Sequence, residues 1–170
     1  MKKLLLMSDI HGYQERFERI VKEHPDVDYR LSAGDSELEA SLLTQHDVMA
    51  VYGNAFMDAG EAQIVLTVEK MKLVMVHGHE HRVHHGDHGL VKLLKKHQAH
   101  FVIHGHTHVA RHTPTDVGII VNPGAISRSR GALPASYALL TLEQSLYTIT
   151  WYDALTHEVL GKVKHSLKEQ

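Results

Sequence analysis

The sequence Leu4-Leu5-Leu6-Met7-Ser8-Asp9-Ile10-His11-Gly12 joins a short apolar run directly to two residue types that commonly bind metals. The same succession occurs four more times along the chain. The other runs, each with the polar cluster that follows it, are Tyr29–Ala33 with Gly34-Asp35, Val48–Tyr52 with Gly53-Asn54, Leu73–Val76 with His77-Gly78-His79, and Phe101–Ile103 with His104-Gly105-His106-Thr107-His108. Apolar runs of about four to six residues bounded by turn residues are typical of buried strands.

The five clusters would meet if these runs are neighbouring strands of one sheet. Open α/β sheets bind their ligands at the edge where such strands end. Two aspartates, one asparagine and at least four histidines would then lie together. Carboxylate and amide oxygens and imidazole nitrogens are all metal ligands. The pattern therefore predicts, in outline, a binuclear metal site.

The spacing within the clusters favours a shared target. Asp9 and His11 are two residues apart, and residues i and i+2 of an extended chain point to the same side. His106 and His108 have the same spacing, so that one imidazole can serve each of two adjacent metals. Asp35 offers two carboxylate oxygens with which to bridge a metal pair.

Each motif also has a simpler interpretation when it is taken alone. Asp35 could begin an ordinary turn, and Gly53-Asn54 is a favoured turn pair. A lone histidine such as His77 is more often a hydrogen-bonded residue of the core. Independent turns would not share one order and one placement at strand ends, and the combination therefore favours the metal site.

The order Asp-x-His, Gly-Asp, Gly-Asn, His and Gly-His-x-His resembles the calcineurin-like metallophosphoesterase superfamily, specifically its small bacterial and archaeal single-domain phosphodiesterase branch. Asn122-Pro123-Gly124 is similar to a further signature of that branch. The resemblance implies an α/β fold of two facing mixed β-sheets flanked by helices, a four-layer αββα sandwich, over residues 1–170 as a single domain. The ligand roles that it implies are Asp9, His11 and His108 for one metal, Asn54, His77 and His106 for the other, and Asp35 as the bridge.

Such a site is suited to phosphoester hydrolysis. Two divalent metals about 3.5–4 Å apart can share a hydroxide nucleophile and clamp the phosphoryl oxygens. A ligand set of oxygen and nitrogen without sulfur suits Mn²⁺, Fe²⁺, Ni²⁺ or Zn²⁺. We expect two divalent metal ions, with Mn²⁺ first and Ni²⁺, Fe²⁺ or Zn²⁺ as alternatives.

One position departs from the family pattern. Many members carry a histidine after the Gly-Asn pair, where it is thought to protonate the leaving group, and this chain has Ala55 there. Without that donor, esters with good leaving groups are expected to react best and alkyl monoesters poorly. His79 is the candidate catalytic residue that could replace the missing acid, and support of His77 is its alternative role.

Composition limits the other functions. The 18 Lys+Arg and 20 Asp+Glu residues nearly balance, which does not favour a partner made of extended nucleic acid. There is no cysteine, so thiolate metal sites and cysteine nucleophiles are excluded. The apolar start breaks at Ser8-Asp9, and no run approaches the ~20 residues of a membrane span. We therefore expect a cytoplasmic protein without a membrane partner.

The order of predicted elements changes along the chain. Helices over Tyr13–Glu23 and Glu37–Gln45 alternate with the first three strands, which favours right-handed crossovers and parallel strands. A hairpin, a helix and further strands follow. These later elements are predicted at Ala62–Val68, Met71–Val76, Gly89–His97, Arg111–Thr115, Gly118–Val121, Ser136–Leu142 and Leu146–Tyr152.

Two segments have open interpretations. The histidine-rich segment His81–His88 is expected to be a solvated loop at the mouth of the site, with a lid over the substrate as the alternative. Arg128 and Arg130 could contact a substrate phosphate or could be ordinary surface charges. Ser129 stands where the family signature usually has proline, which leaves the rigidity of that loop open.

The leading functional hypothesis is a metal-dependent phosphodiesterase that acts on a small organic or nucleotide phosphodiester. A non-catalytic interaction scaffold is the alternative, because a eukaryotic retromer subunit resembles this fold but has degraded metal ligands. The third hypothesis, hydrolysis of dinucleoside polyphosphates, requires basic residues around the site. The candidates are Arg82, Arg111, Arg128 and Arg130. A homo-oligomer stays open.

Overall fold

A computed structural model describes residues 1–166. Two β-sheets and three α-helices account for most of that range. The strands are β1 (Lys2–Met7), β2 (Tyr29–Ser32), β3 (Val48–Ala50), β4 (Ile64–Val68), β5 (Met71–Met75), β6 (Phe101–Ile103), β7 (Arg111–Thr115), β8 (Gly118–Asn122), β9 (Ser136–Glu143), β10 (Leu146–Asp153) and β11 (Val159–Ser166). The helices are α1 (Gln14–Glu23), α2 (Ala40–Gln45) and α3 (His88–His97). Short 3₁₀ turns cover His79–His81 and Val83–His85.

The first sheet has the strand order β11-β10-β9-β1-β2-β3. Strands β1, β2 and β3 are parallel, as the alternation with helices predicted, and Leu6 is paired with Leu31 in that half. The other half is antiparallel and joins β1 through β9, where Leu6 is paired with Ala138. This sheet therefore brings the ends of β1, β2 and β3 to one edge.

The second sheet has the strand order β4-β5-β6-β8-β7. Strands β5, β6 and β8 are parallel, and they are flanked by the antiparallel strands β4 and β7. The predicted hairpin between β4 and β5 is confirmed, with Glu69 and Lys70 between the strands. The ends of β5 and β6 therefore lie side by side.

The alternation of β1 shows how the layers are formed. Leu4 and Leu6 are buried between the two sheets, whereas Leu5 and Met7 face the opposite side and pack with residues of α1 and α2. Helix α3 covers the outer face of the second sheet, where its Leu90 packs in a separate apolar cluster. The four-layer sandwich of helix, sheet, sheet and helix that the resemblance implied is thus the observed fold.

Some element boundaries differ from the predicted ones. Helix α2 begins at Ala40 rather than Glu37, because Glu37 has a left-handed backbone (φ 50°) and its amide binds the Asp58 carboxylate. Strand β11 was not predicted, because its mostly exposed residues show no clear apolar alternation. Within residues 1–166, no helix combines the length and the apolar character needed to cross a membrane.

Candidate metal centre

The polar clusters extend the pairing of the strands that precede them. The Asp9 amide donates to the Gly34 carbonyl (2.9 Å), and the His11 amide donates to the Asp35 carbonyl (3.0 Å). In the second sheet, the Gly105 amide donates to the His77 carbonyl (3.0 Å). The loops that follow neighbouring strands of the same sheet thus lie side by side. The side chains that these loops carry meet where the strands of both sheets end.

Asp9 connects the two sheets at this edge. Its Oδ2 accepts a hydrogen bond from the His106 amide (3.0 Å) and another from the Ser8 hydroxyl (2.6 Å). Gly105 allows this approach, because a Cβ atom there would lie 1.9 Å from Ser8 Oγ and 2.7 Å from Asp9 Oδ2. The glycine of the Gly-His-x-His motif is therefore a requirement of close packing.

Asp9, His11 and His108 form the first candidate ligand group. His108 Nε2 lies 3.2 Å from Asp9 Oδ1 and 3.3 Å from His11 Nε2. The third distance, from His11 Nε2 to Asp9 Oδ1, is 3.9 Å. These three atoms could bind one ion together.

Asp35, His77 and His106 form the second candidate ligand group. His77 Nε2 lies 3.3 Å from Asp35 Oδ2 and 3.2 Å from His106 Nδ1. Asn54 joins them, since its Oδ1 is 3.2 Å from His77 Nε2. All seven residues predicted as metal ligands are therefore found at this edge.

The Asp35 carboxylate lies between the two groups. Its Oδ2 is 3.3 Å from His77 Nε2 in the second group and 3.7 Å from His11 Nε2 in the first. Its Oδ1 accepts a hydrogen bond from the Ala55 amide (2.8 Å). Asp35 is thus fixed by one oxygen and offers the other to both groups, which is the position expected of a bridge.

The tautomers of three histidines follow from the partners of their Nδ1 atoms. Carbonyl and carboxylate oxygens accept hydrogen bonds but cannot donate them, so each Nδ1 atom carries the proton. His77 Nδ1 donates to the Ala33 carbonyl (2.7 Å), and His108 Nδ1 donates to the Arg128 carbonyl (2.8 Å). His11 Nδ1 contacts the Glu37 carboxylate at 2.5 Å. In the neutral form of each ring, the Nε2 lone pair therefore points into the site, which is the usual arrangement of a metal-ligating histidine.

The donor set fits divalent cations. Lone pairs of imidazole, carboxylate and amide groups face one another at 3.2–3.9 Å. Asp9 Oδ1 is buried and has no hydrogen-bond partner. A buried acceptor without a donor is costly, and a cation between these atoms would compensate it.

The charges of the site favour the ligand forms. Burial alone would raise the pKa of Asp35, but its hydrogen bond with His77 and the charge of that ring hold the pKa well below the usual range. Burial also opposes the rise in the pKa of His77, which the Asp35 hydrogen bond and the charges of Asp9 and Asp35 produce. A cation would replace that proton. Burial, with the rings of His77 and His84, lowers the pKa of His106 to about 4 and keeps it neutral.

The backbone at the site corrects one part of the sequence reasoning. Asp9 and His11 have φ values of 51° and 48°, so the segment that carries them is not extended as the i, i+2 argument assumed, and Asp35 (51°) is left-handed too. His106 (67°) and His108 (57°) are left-handed as well. Residues other than glycine rarely adopt the left-handed backbone conformation, and such strain is often found at functional sites. The side chains converge through these turns rather than through strand alternation.

His79 lies beside the second group. Its ring centroid is 5.4 Å from that of His77 and 6.1 Å from that of His106. Its Nδ1 is buried without a hydrogen-bond partner. The histidine-rich segment that follows also reaches the site, because the exposed His84 ring lies 4.7 Å from the His106 ring, centroid to centroid.

Two carboxylates that support the site were not predicted. Glu37 fixes the His11 ring, as described above. Asp58 connects two loops, because its Oδ1 accepts from the Ser36 amide (3.0 Å), the Ser36 hydroxyl (2.9 Å) and the Glu37 amide (3.0 Å), while its Oδ2 accepts from the Gly53 amide (2.8 Å). The available signal was an acidic residue two positions after Gly34-Asp35 and four positions after Gly53-Asn54.

The arginines have different positions. Arg128 and Arg130 are exposed, and the loop between them supports His108 through backbone atoms, since the Arg130 amide donates to the His108 carbonyl (3.0 Å). Arg111 is engaged in an ion pair with Asp87 and donates to His104 Nε2 (3.0 Å). Its guanidinium is therefore not free to meet a substrate.

The fold and this site define a metallophosphoesterase. Residues 1–145 match the model of the calcineurin-like phosphoesterase superfamily domain, and the chain belongs to that family. It is 31% identical to the Bacillus subtilis protein named "Probable metallophosphoesterase YsnB" over 158 residues, which cover 92% of this chain and 94% of the relative.

Solved structures show the same fold. A protein of Streptococcus pneumoniae TIGR4, described as a predicted phosphoesterase, has a TM-score of 0.89 and 25% identity, with 97% of each chain covered. Vps29 of Entamoeba histolytica, solved with Zn²⁺, has a TM-score of 0.76 and 19% identity, with 96% of this chain and 98% of that chain covered. The second likeness concerns the fold alone.

Proposed function

We propose that the protein is a metal-dependent phosphodiesterase that hydrolyses small organic or nucleotide phosphodiesters. The observation that carries this proposal is the pair of ligand groups on either side of the Asp35 carboxylate. Membership of the phosphoesterase family supports it independently. The substrate class goes beyond the family and rests on the predicted consequence of Ala55.

We assign Asp9, His11 and His108 to one metal, Asn54, His77 and His106 to the other, and Asp35 to both. When bound, the metal pair would supply the Lewis acidity that acidifies the attacking water and neutralises charge on the phosphoryl oxygens. The chain supplies fixed orientations, since Glu37 and two backbone carbonyls hold three of the imidazole rings. Mn²⁺ is the metal that we propose first.

The position that often carries a leaving-group acid in this family has no proton donor in this chain. The Ala55 amide is used to hold Asp35, and its side chain has no proton to donate. We propose His79 as the residue that assists departure, because its ring lies next to the second group and its Nδ1 has no other partner. General-acid help is typically about 10²–10⁴-fold, so its strength decides which esters react.

The direct test is reconstitution. Protein stripped with a chelator receives Mn²⁺, Ni²⁺, Fe²⁺ or Zn²⁺ separately and is assayed on diesters, monoesters and dinucleotides. We expect metal-dependent turnover of aryl diesters and weak turnover of alkyl monoesters, and loss of both in Asp35→Asn. Folded, metal-loaded protein that hydrolyses none of the diesters would overturn the proposal.

A non-catalytic scaffold is the second candidate, because solved Vps29 structures share the fold. Binding of metal without turnover on the whole panel would favour it. Hydrolysis of dinucleoside polyphosphates is weakened as a third candidate, since Arg111 is engaged and, of the four candidate arginines, Arg82, Arg128 and Arg130 remain exposed. A cytoplasmic location, the oligomeric state and the lack of a nucleic-acid partner stay predictions.

A further inference from the structure

Phe56 and Met57 are the most exposed large apolar side chains of residues 1–166, with 92% and 86% exposure. They lie in the loop that follows β3, directly after Asn54 and Ala55. Single exposed apolar residues are common, but two adjacent ones beside a polar centre are not explained by the core.

The inner side of this loop is fixed to the candidate centre. The Ala55 amide donates to Asp35 Oδ1, and Asn54 Oδ1 lies 3.2 Å from His77 Nε2. Gly53 packs so closely that a Cβ atom there would lie 1.9 Å from Asp35 Oδ1. Because consecutive Cα atoms are about 3.8 Å apart, Phe56 begins one residue from a direct contact with the bridging carboxylate.

The outer side of the loop is fixed as well. Asp58 accepts from the Gly53 amide and from residues 36 and 37, so that the loop is held on both sides of Phe56 and Met57. Met57 has a left-handed backbone (φ 53°), which costs free energy in a residue other than glycine. The backbone that carries the apolar pair is therefore anchored on both sides.

A phosphodiester placed at the centre has an organic group that must lie just outside the metal ligands. We propose that Phe56, with Met57, forms the contact surface for that organic group and gives the site a preference for aromatic esters. This inference rests on the proposed function. An aromatic ring and a thioether on a fixed loop can contact an aryl group without the entropy cost of ordering the loop.

The size of the surface favours a small ligand over a protein partner. One aromatic side chain buries at most about 150–250 Å², so two adjacent residues fall well short of the ~800 Å² that each partner of a stable protein complex buries. The phenyl group of an aryl ester, by contrast, is the same size as the Phe56 ring.

The test compares two diesters with one leaving group, p-nitrophenyl phenyl phosphate and p-nitrophenyl methyl phosphate. Their shared leaving group removes any effect of a proton donor from the comparison. We expect Phe56→Ala to lower the phenyl-to-methyl ratio of kcat/KM by about tenfold. Phe56→Leu should lower it less, because an apolar surface remains. Val159→Ala, a truncation of a residue that is 60% exposed on β11, is the matched control and should leave the ratio unchanged.

A binding measurement separates this inference from the proposed function. Calorimetry with phenylphosphonate and methylphosphonate on Mn²⁺-loaded protein does not require turnover, and Phe56→Ala should remove the preference for the phenyl compound. If that preference depends on Phe56 while no diester is hydrolysed, the inference stands and the proposed function is wrong. If diesters are hydrolysed but Phe56→Ala changes neither ratio, or if the loaded protein binds neither phosphonate, the inference is wrong.

Discussion

Asp58→Asn tests whether the loops around the candidate centre are held by one carboxylate. The asparagine oxygen can keep the contacts with Ser36 and Glu37, but the amide nitrogen then faces the Gly53 N–H, which has bonded to Oδ2 at 2.8 Å. A hydrogen bond to a charged group contributes about 1.5–3 kcal/mol to the stability of a folded protein. Because Asp58 is half-buried, we expect loss of the bond to Gly53 to cost about 1.5 kcal/mol, the lower end of that range. Loss of an outer partner of a metal site typically costs about 10–100-fold in metal affinity.

The effect should be unequal between the two ligand groups. Gly53 directly precedes Asn54, which we assign to the metal of the second group, whereas the first group has no ligand on this loop. Titration calorimetry of chelator-stripped protein with Mn²⁺ should therefore show one clearly weakened site and a smaller loss of affinity at the other, which this loop reaches only through Asp35.

Asp58→Asn also removes a negative charge, which would weaken metal binding by itself. Two controls separate this charge effect from the effect of a displaced loop. Asp116→Asn removes an exposed charge from the turn between β7 and β8 and should leave both affinities unchanged. Repeating the titration at high salt screens a charge effect but not a displaced loop. If both sites of Asp58→Asn bind Mn²⁺ within twofold of the wild type, the role given to this carboxylate is refuted.

Three further predictions follow from the site and its surroundings. Asp35→Asn or His106→Ala should nearly abolish diester hydrolysis in protein that stays folded by circular dichroism, and near-wild-type turnover at saturating metal would contradict the assigned roles. Rates of metal-saturated enzyme on aryl and alkyl esters should fall as the leaving-group pKa rises, and more steeply in His79→Ala; a slope in that variant equal to the wild-type slope, with chemistry rate-limiting, would exclude His79 as the donor. Burial lowers the pKa of His24 below its ordinary 6.5, so the contribution of this residue to the free energy of unfolding should be full above pH 6.5 and decrease as the pH falls towards the folded-state pKa. Urea unfolding between pH 7.5 and 5 should show a smaller decrease in His24→Asn, and equal slopes would contradict the assignment.

The sequence predicted the parts of the fold that depend on local apolar patterns. The run Leu4–Met7 and its four counterparts end where the ligand clusters begin. They lie in two facing sheets and not in the one sheet that the first argument assumed, and the clusters meet where strands of both sheets end. Strand β11 has mostly exposed residues, so that its pairing with β10 is not visible in an apolar pattern. Strands with an apolar pattern were therefore predictable from the sequence. A strand that is defined only by its pairing with a neighbour, such as β11, was not.

The supporting contacts of the site could not be predicted for a different reason. Asp58 acts on a loop that is more than 20 residues earlier in the chain, with 22 positions separating it from Ser36. Glu37 reaches His11 across 26 positions. No spacing rule links such pairs, because the connecting segment contains a helix and a strand whose packing sets the distance. Only the folded chain shows that these carboxylates serve the ligands.

The left-handed turns at Asp9, His11, Asp35, His106 and His108 explain why the centre depends on its surroundings. Each turn is unfavourable by itself, and each is held by contacts from other elements, such as the Ser127 amide on the Asp9 carbonyl (3.1 Å). The lone pairs that these turns bring together also repel one another unless a proton, as between His77 and Asp35, or a cation lies between them. Strain in the backbone and unpaired acceptors in the side chains thus have the same source, which is a geometry suited to bound metal more than to the metal-free chain. The contacts between loops make that geometry persist. A change at Asp58 therefore acts on the ligands without touching them, whereas a change at Glu37 acts through its direct contact with His11.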